Sequence, residues 1–102
     1  MIRHIVLVRF REEISEHQIE ALFAEIKALQ PRISGMLGVV SGRSLELEKL
    51  EKGFRHGFIV EFDDRAALEA YQNNEDHRRT GARLVEAAEG GLEGILVFDL
   101  SA

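Results

Sequence analysis

Two segments of this chain share one pattern, RHIVLVRF (Arg3–Phe10) and RHGFIVEF (Arg55–Phe62), and they start 52 residues apart in a chain of 102. Both read Arg-His-x-x-aliphatic-Val-x-Phe. Their β-branched and aromatic content favours strands. Alternation puts His4, Val6, Val8 and Phe10 on one face of the first strand, with Ile5 and Leu7 on the other. In the second, His56, Phe58, Val60 and Phe62 share a face. Both faces of the first strand are apolar, so both need cover. A chain that opens each half with the same strand is constrained to fold as two similar halves.

The residues after each strand complete the halves. Ser15 and Gln18 form a capping box, and Ile14 and Ile19 a hydrophobic staple, at the start of a helix. Ile19, Leu22, Phe23, Ile26 and Leu29 follow at helical spacing, and Pro31 and Gly35 end it. A second strand is expected over about 36–44, followed by the charged stretch LELEKLEKG as a loop or short helical turn. After the third strand, Asp63 or Asp64 caps a helix carrying Leu68 and Tyr71, and the turn-forming run Asn73–Asp76 breaks it. A further helix begins near His77, with His77, Gly81, Leu84, Val85 and Ala88 on one face. Gly90 and Gly91 end it, and Ile95–Leu100 is the last strand.

The order is β-α-β twice, the ferredoxin-like split βαβ pattern in the α+β class: a four-stranded antiparallel sheet with helices on one face. The whole chain, 1–102, reads as one domain. The repeated strands are expected side by side at the sheet centre, with His4 and His56 pointing from the same end of the helix-covered face. The other face, with Ile5, Leu7 and Ile59, is left bare, and a homodimer packed sheet against sheet is the simplest cover.

Composition narrows the function. Net charge is −5, which opposes a general electrostatic hold on nucleic acid. There are no cysteines, so thiol chemistry and cysteine metal sites are excluded. The apolar run Ile5–Val8 is too short for a signal peptide or membrane span, so no membrane partner is expected and the location reads as cytoplasmic. The histidines lack a His-x-x-x-His spacing, so neither a metal site nor a cofactor is expected. His17 lies in a first helical turn and reads as solvated, as do Arg78, Arg79 and Arg83 on a helix face.

Taken in order, Arg3-His4-Ile5-Val6-Leu7, Gly53-Phe54-Arg55-His56, Phe62, Leu68-Glu69-Ala70-Tyr71, His77 and Val97-Phe98-Asp99 resemble the stress-responsive dimeric α/β-barrel domain family over nearly the whole chain. That resemblance implies dimers whose two sheets form a barrel with helices outside. One branch contains plant polyketide cyclases, which carry out an intramolecular aldol condensation on a linear poly-β-ketone. By that resemblance Tyr71 and His77 are catalytic and His4 and His56 line the pocket. The chain departs from the family at Asn74-Glu75-Asp76-His77, where His-Pro-x-His is common, and at Ile26, where the cyclase branch has a second tyrosine. Some relatives hold Mg²⁺ through main-chain carbonyls after the first helix, near Gln30, Ile33 and Met36 here.

The expected site is a pocket for a small hydrophobic ligand, bounded by His4, His56, Tyr71 and His77, with Phe23, Ile26, Phe58 and Leu84 as apolar wall. An imidazole near its natural pKa suits proton abstraction between two carbonyls, and a phenol suits donation to the oxygen that gains charge. Three functions are compatible with this reading. They are a ligand-binding or cyclase/lyase-like enzyme, a structural or stress-protective dimer without chemistry, and an enzyme resembling the cofactor-free quinol monooxygenases.

Overall fold

The computed structural model describes all residues, 1–102. Strand β1 (Ile2–Val8) leads to helix α1 (Glu16–Lys27), a 3-10 turn (Gln30–Arg32) and strand β2 (Met36–Arg43). Strand β3 (His56–Phe62), helix α2 (Arg65–Asn73), helix α3 (Glu75–Ala87), a 3-10 turn (Gly91–Gly94) and strand β4 (Ile95–Ser101) form the second half. The sheet is antiparallel, in the order β2-β3-β1-β4. The two repeated strands are therefore the central pair, and the fold is the ferredoxin-like α+β arrangement. Each repeat strand is shorter than its motif. β1 ends at Val8, and Phe10 pairs separately with Ala88.

Local chemistry sets the element ends. Ser15 accepts from the Gln18 amide while the Gln18 side chain accepts from the Ser15 amide, closing the capping box of α1. Asp64 caps α2 through the Ala67 amide. Asn74 separates α2 from α3: its backbone is extended, and its side chain accepts from the Asp76 and His77 amides. The turn into β2 needs Gly35, whose φ of +85° lies in the left-handed region and whose missing Cβ would stand 2.7 Å from Ala67 Cβ.

The core lies between the helices and one sheet face. Val6, Val8, Phe58, Val60 and Phe62 rise from the sheet to meet Ile19, Phe23 and Ile26 of α1 and Leu68 and Tyr71 of α2. The opposite face carries Ile5, Leu7, Val40, Ile59, Leu96, Phe98 and Leu100, and no element of the chain covers it. Val40 and Phe98 are more than half exposed there.

The capping box makes the start of α1 sensitive to one atom. Ser15→Ala removes an acceptor and should lower the unfolding free energy by about 1 kcal/mol with an unchanged urea m-value. An unchanged midpoint in urea would show that the box contributes nothing.

Candidate functional site

Strand alternation and pairing put both repeat histidines on the helix-covered face of neighbouring strands. They do not share an end. β1 and β3 run antiparallel, with His4 opposite Val60 and His56 opposite Val8. The two imidazoles are thus four positions apart in register, about 13 Å at ~3.3 Å per residue. The expectation of a common end fails because the repeat fixes each strand's face and not the relative direction of the strands.

Around His4 a polar cluster forms inside the fold. α2 delivers Tyr71, which is fully buried, and α3 delivers His77, which is partly buried. Their ring centroids are 4.0 Å apart. His4 lies edge-on to Tyr71 at 5.7 Å and to Phe62 at 6.3 Å. In a continuous helix, six residues of separation would turn Tyr71 and His77 apart. The break at Asn74 lets both face inward. His4 Nδ1 is 2.6 Å from Asp99 Oδ1 on β4. A carboxylate accepts, so Nδ1 carries the proton and Nε2 is left for a ligand.

The electrostatics follow from burial. The Tyr71 hydroxyl and His77 Nδ1 are enclosed and have no hydrogen-bond partner. Burial pushes the Tyr71 phenol well above its usual value of 10.0. Burial also holds the His77 imidazole below its usual 6.5, and the neighbouring His4 adds to that, against an opposing backbone contact at Gln72. At neutral pH the pair is therefore a protonated phenol beside an uncharged imidazole.

His56 sits elsewhere, against Phe10 at 5.5 Å, with Nε2 at 2.9 and 3.0 Å from the two Glu16 carboxylate oxygens. This hydrogen bond holds Glu16 below the usual carboxylate range, and Arg43, 2.8 Å from the same carboxylate, helps. Phe23 and His56 line a cleft of about 380 Å³ between α1 and β2. Ile26, Phe58 and Leu84 are core residues, each less than 5% exposed. None of the five principal surface clefts is lined by His4, Tyr71 or His77. His17 is exposed; Arg79 pairs with Asp76 and Arg83 with Glu25 on the outer surface. The carbonyls of Gln30 and Ile33 already accept turn hydrogen bonds from Ile33 and Met36, and no set of acidic or histidine side chains is gathered for a cation.

Two residues that pair with the histidines are not marked as their partners in the sequence. Asp99 alternates with Ile95 and Val97 on the helix side of β4, so period-2 reading places it on the right face. Only the pairing of β4 with β1 puts it beside His4. Glu16 reads merely as a favourable charge in the first turn of α1.

A ferredoxin-like α+β fold with an enclosed His–Tyr–His cluster under its helices defines a small single-sheet domain of the α/β-barrel class. The chain belongs to the stress-responsive A/B barrel domain family, whose model matches residues 2–102. It is 26% identical over 98 residues to stress-response A/B barrel domain-containing protein HS1 of Arabidopsis thaliana, covering 96% of this chain and 86% of that protein. It is also 26% identical over 98 residues to olivetolic acid cyclase of Cannabis sativa, covering 96% of this chain and 93% of that protein. A dimeric ferredoxin-like protein of unknown function from Jannaschia sp. CCS1 superposes with a TM-score of 0.92 at 31% identity, covering 99% of this chain and 98% of that one.

The burial of uncharged polar groups has measurable consequences. Tyr71 is the sole tyrosine, so phenolate absorbance reports it alone. Its folded pKa is raised, so its contribution to stability is complete below 10.0 and falls as pH rises above that value. Phenolate should appear only together with loss of structure, and ionisation at the ordinary value with the fold intact would contradict the enclosure. His77 is depressed, so its contribution is present above 6.5 and lost as pH falls towards the folded value. His77→Gln should flatten that acid limb. Because the hydroxyl of Tyr71 is unpartnered, Tyr71→Phe should leave stability unchanged or raise it by about 1–2 kcal/mol in urea unfolding.

Proposed function

We propose that this protein binds a small ketone-bearing or aromatic molecule against Tyr71, His77 and His4 and acts as a cyclase/lyase-like catalyst of proton transfer beside a carbonyl. The observation that carries this reading is the pair of buried, unpartnered polar atoms, Tyr71 Oη and His77 Nδ1, on rings 4.0 Å apart. Native interiors rarely leave such atoms unpaired without a reason. A ligand oxygen and a ligand C–H are chemically suitable partners for the two groups.

The chemistry follows from the protonation states. An uncharged His77 has a lone pair with which to remove a proton from a carbon flanked by two carbonyls. The protonated phenol of Tyr71 donates to the carbonyl oxygen that gains charge. In an intramolecular aldol condensation the resulting enolate carbon forms a C–C bond to a second carbonyl carbon of the same chain. The oxygen of that second carbonyl takes up the proton that His77 removed, which restores the uncharged imidazole, and loss of this hydroxyl with a neighbouring C–H proton as water completes the condensation. His4, held by Asp99 in one tautomer, presents Nε2 to a polar end of the ligand. The family resemblance to a cyclase supports this reaction class.

The bare sheet face supports a second copy of the chain as partner. Ile5, Leu7 and Ile59 lie there with the more exposed Val40, Leu96, Phe98 and Leu100. An apolar face of this extent needs cover, and the 31%-identical Jannaschia protein is described as dimeric.

Incubation with a linear poly-β-ketone tests the reaction, ring closure being followed by absorbance. His77→Ala and Tyr71→Phe should each reduce the rate about 10²–10⁴-fold while leaving the fold intact. Equal rates in wild type and both variants would remove the enzyme reading. For assembly, burying each apolar side chain is worth roughly 1.5–3 kcal/mol, so Leu7→Asp should convert a dimer to monomers or an unfolded chain in light scattering. A wild-type monomer at micromolar concentration would dispose of the dimer.

A further inference from the structure

The polar atoms of the cluster are enclosed, so a molecule that reaches them has to displace part of the fold. The segment lying over them is Asn74–Gly81, NEDHRRTG, which contains no Ala, Val, Leu, Ile, Met or Phe. The first buried apolar side chain of α3 is Leu84, beyond the segment. By contrast, α1 buries Ile19, Leu22, Phe23 and Ile26, and α2 buries Ala67, Leu68 and Tyr71. What holds Asn74–Gly81 down is polar or aromatic. Asp76 pairs with Arg32 of the first 3-10 turn. The Thr80 hydroxyl donates to Glu25 of α1 at 2.9 Å. The His77 ring rests on Tyr71.

Both ends of the segment are weak points. Asn74 has extended backbone, φ −69° and ψ 133°, between two helices. Gly81 lies inside α3, yet a Cβ added there would meet no atom within 4 Å. No close approach demands a glycine at that position. Its effect is on the helix itself, which glycine loosens relative to alanine. Elements with few apolar anchors and weak ends open locally before the rest of a domain unfolds.

We propose that Asn74–Gly81 is a lid, hinged at Asn74 and Gly81, that swings off Tyr71 and His4 to admit a ligand and recloses through the Arg32–Asp76 and Thr80–Glu25 contacts. The inference rests on the reading of the His4–Tyr71–His77 cluster as a binding site. Because His77 rides on the lid, opening separates it from Tyr71 and closure brings the two together over whatever has entered.

Two measurements on the full chain without ligand test the lid. In hydrogen exchange followed by NMR, the Arg78–Gly81 amides should exchange at least tenfold faster than those of Leu22–Ile26. Gly81→Ala, which fits without a clash, should slow them about fivefold and leave β1 and β3 amides unchanged. Asp76→Asn should speed them. The chain has one tyrosine and no tryptophan, so acrylamide quenching of its fluorescence reads access to Tyr71 alone. Quenching should fall in Gly81→Ala and rise in Asp76→Asn. Protection of Arg78–Gly81 equal to that of α1, a uniform slowing of all amides in Gly81→Ala, or quenching indifferent to both variants would overturn the lid. Failure of the binding site itself is read separately, by titrating benzoylacetone and finding no NMR shifts at Tyr71 or His77.

Discussion

The antiparallel pairing of β1 with β3 is the contact on which everything else in this protein depends. It joins the two halves at their equivalent strands and aligns the alternation of both, so that one face gathers Val6, Val8, Phe58, Val60 and Phe62. That apolar layer gives α1, α2 and α3 a surface on which to bury their stripes. The same alternation sends Ile5, Leu7 and Ile59 to the far side, where the chain has nothing left to cover them. The core, the helix layer and the bare apolar face thus come from one register.

That register also separates the chemistry of the two halves. His4 and His56 occupy corresponding places in the repeat, yet antiparallel pairing puts them near opposite ends of the covered face. His4 turns into the interior beside Tyr71 and is fixed by Asp99. His56 is tied to Glu16 at the rim of the cleft between α1 and β2. The pseudo-symmetry of the fold is therefore not a symmetry of environment: the same residue type joins an enclosed polar cluster in one half and a hydrogen bond to a surface carboxylate in the other.

The cluster is costly to the fold, which is what makes it informative. An unpartnered buried hydroxyl forfeits hydrogen bonding to water and receives nothing in return, a loss of about 1–3 kcal/mol. Tyr71 accepts that loss at one of the most completely buried positions in the chain. His77, over it, is kept uncharged by the same low-dielectric surroundings. The helix that brings His77 there is held over its first half by ion pairs and a threonine rather than by apolar packing, so the costly groups lie at a helical segment without apolar anchors.

Much of the fold was legible because it is written in local patterns. The repeat Arg-His-x-x-aliphatic-Val-x-Phe, the Ser15–Gln18 box, the break at Asn73–Asp76 and the β-α-β order are properties of neighbouring residues, and they led to the ferredoxin-like α+β class, whereas Tyr71 and His77 were singled out by the family resemblance. What the sequence could not show is how far apart residues on different strands come to lie. That His4 meets Asp99, that His56 meets Glu16, and that His4 and His56 stand about 13 Å apart depend on strand direction and register, at about 3.3 Å per residue. Ile26, Phe58 and Leu84 read equally well as pocket wall or as core, since an apolar side chain looks the same in either role; only the packed interior decided that they are core. Periodicity tells a residue which way to face, and tertiary pairing alone decides what it faces.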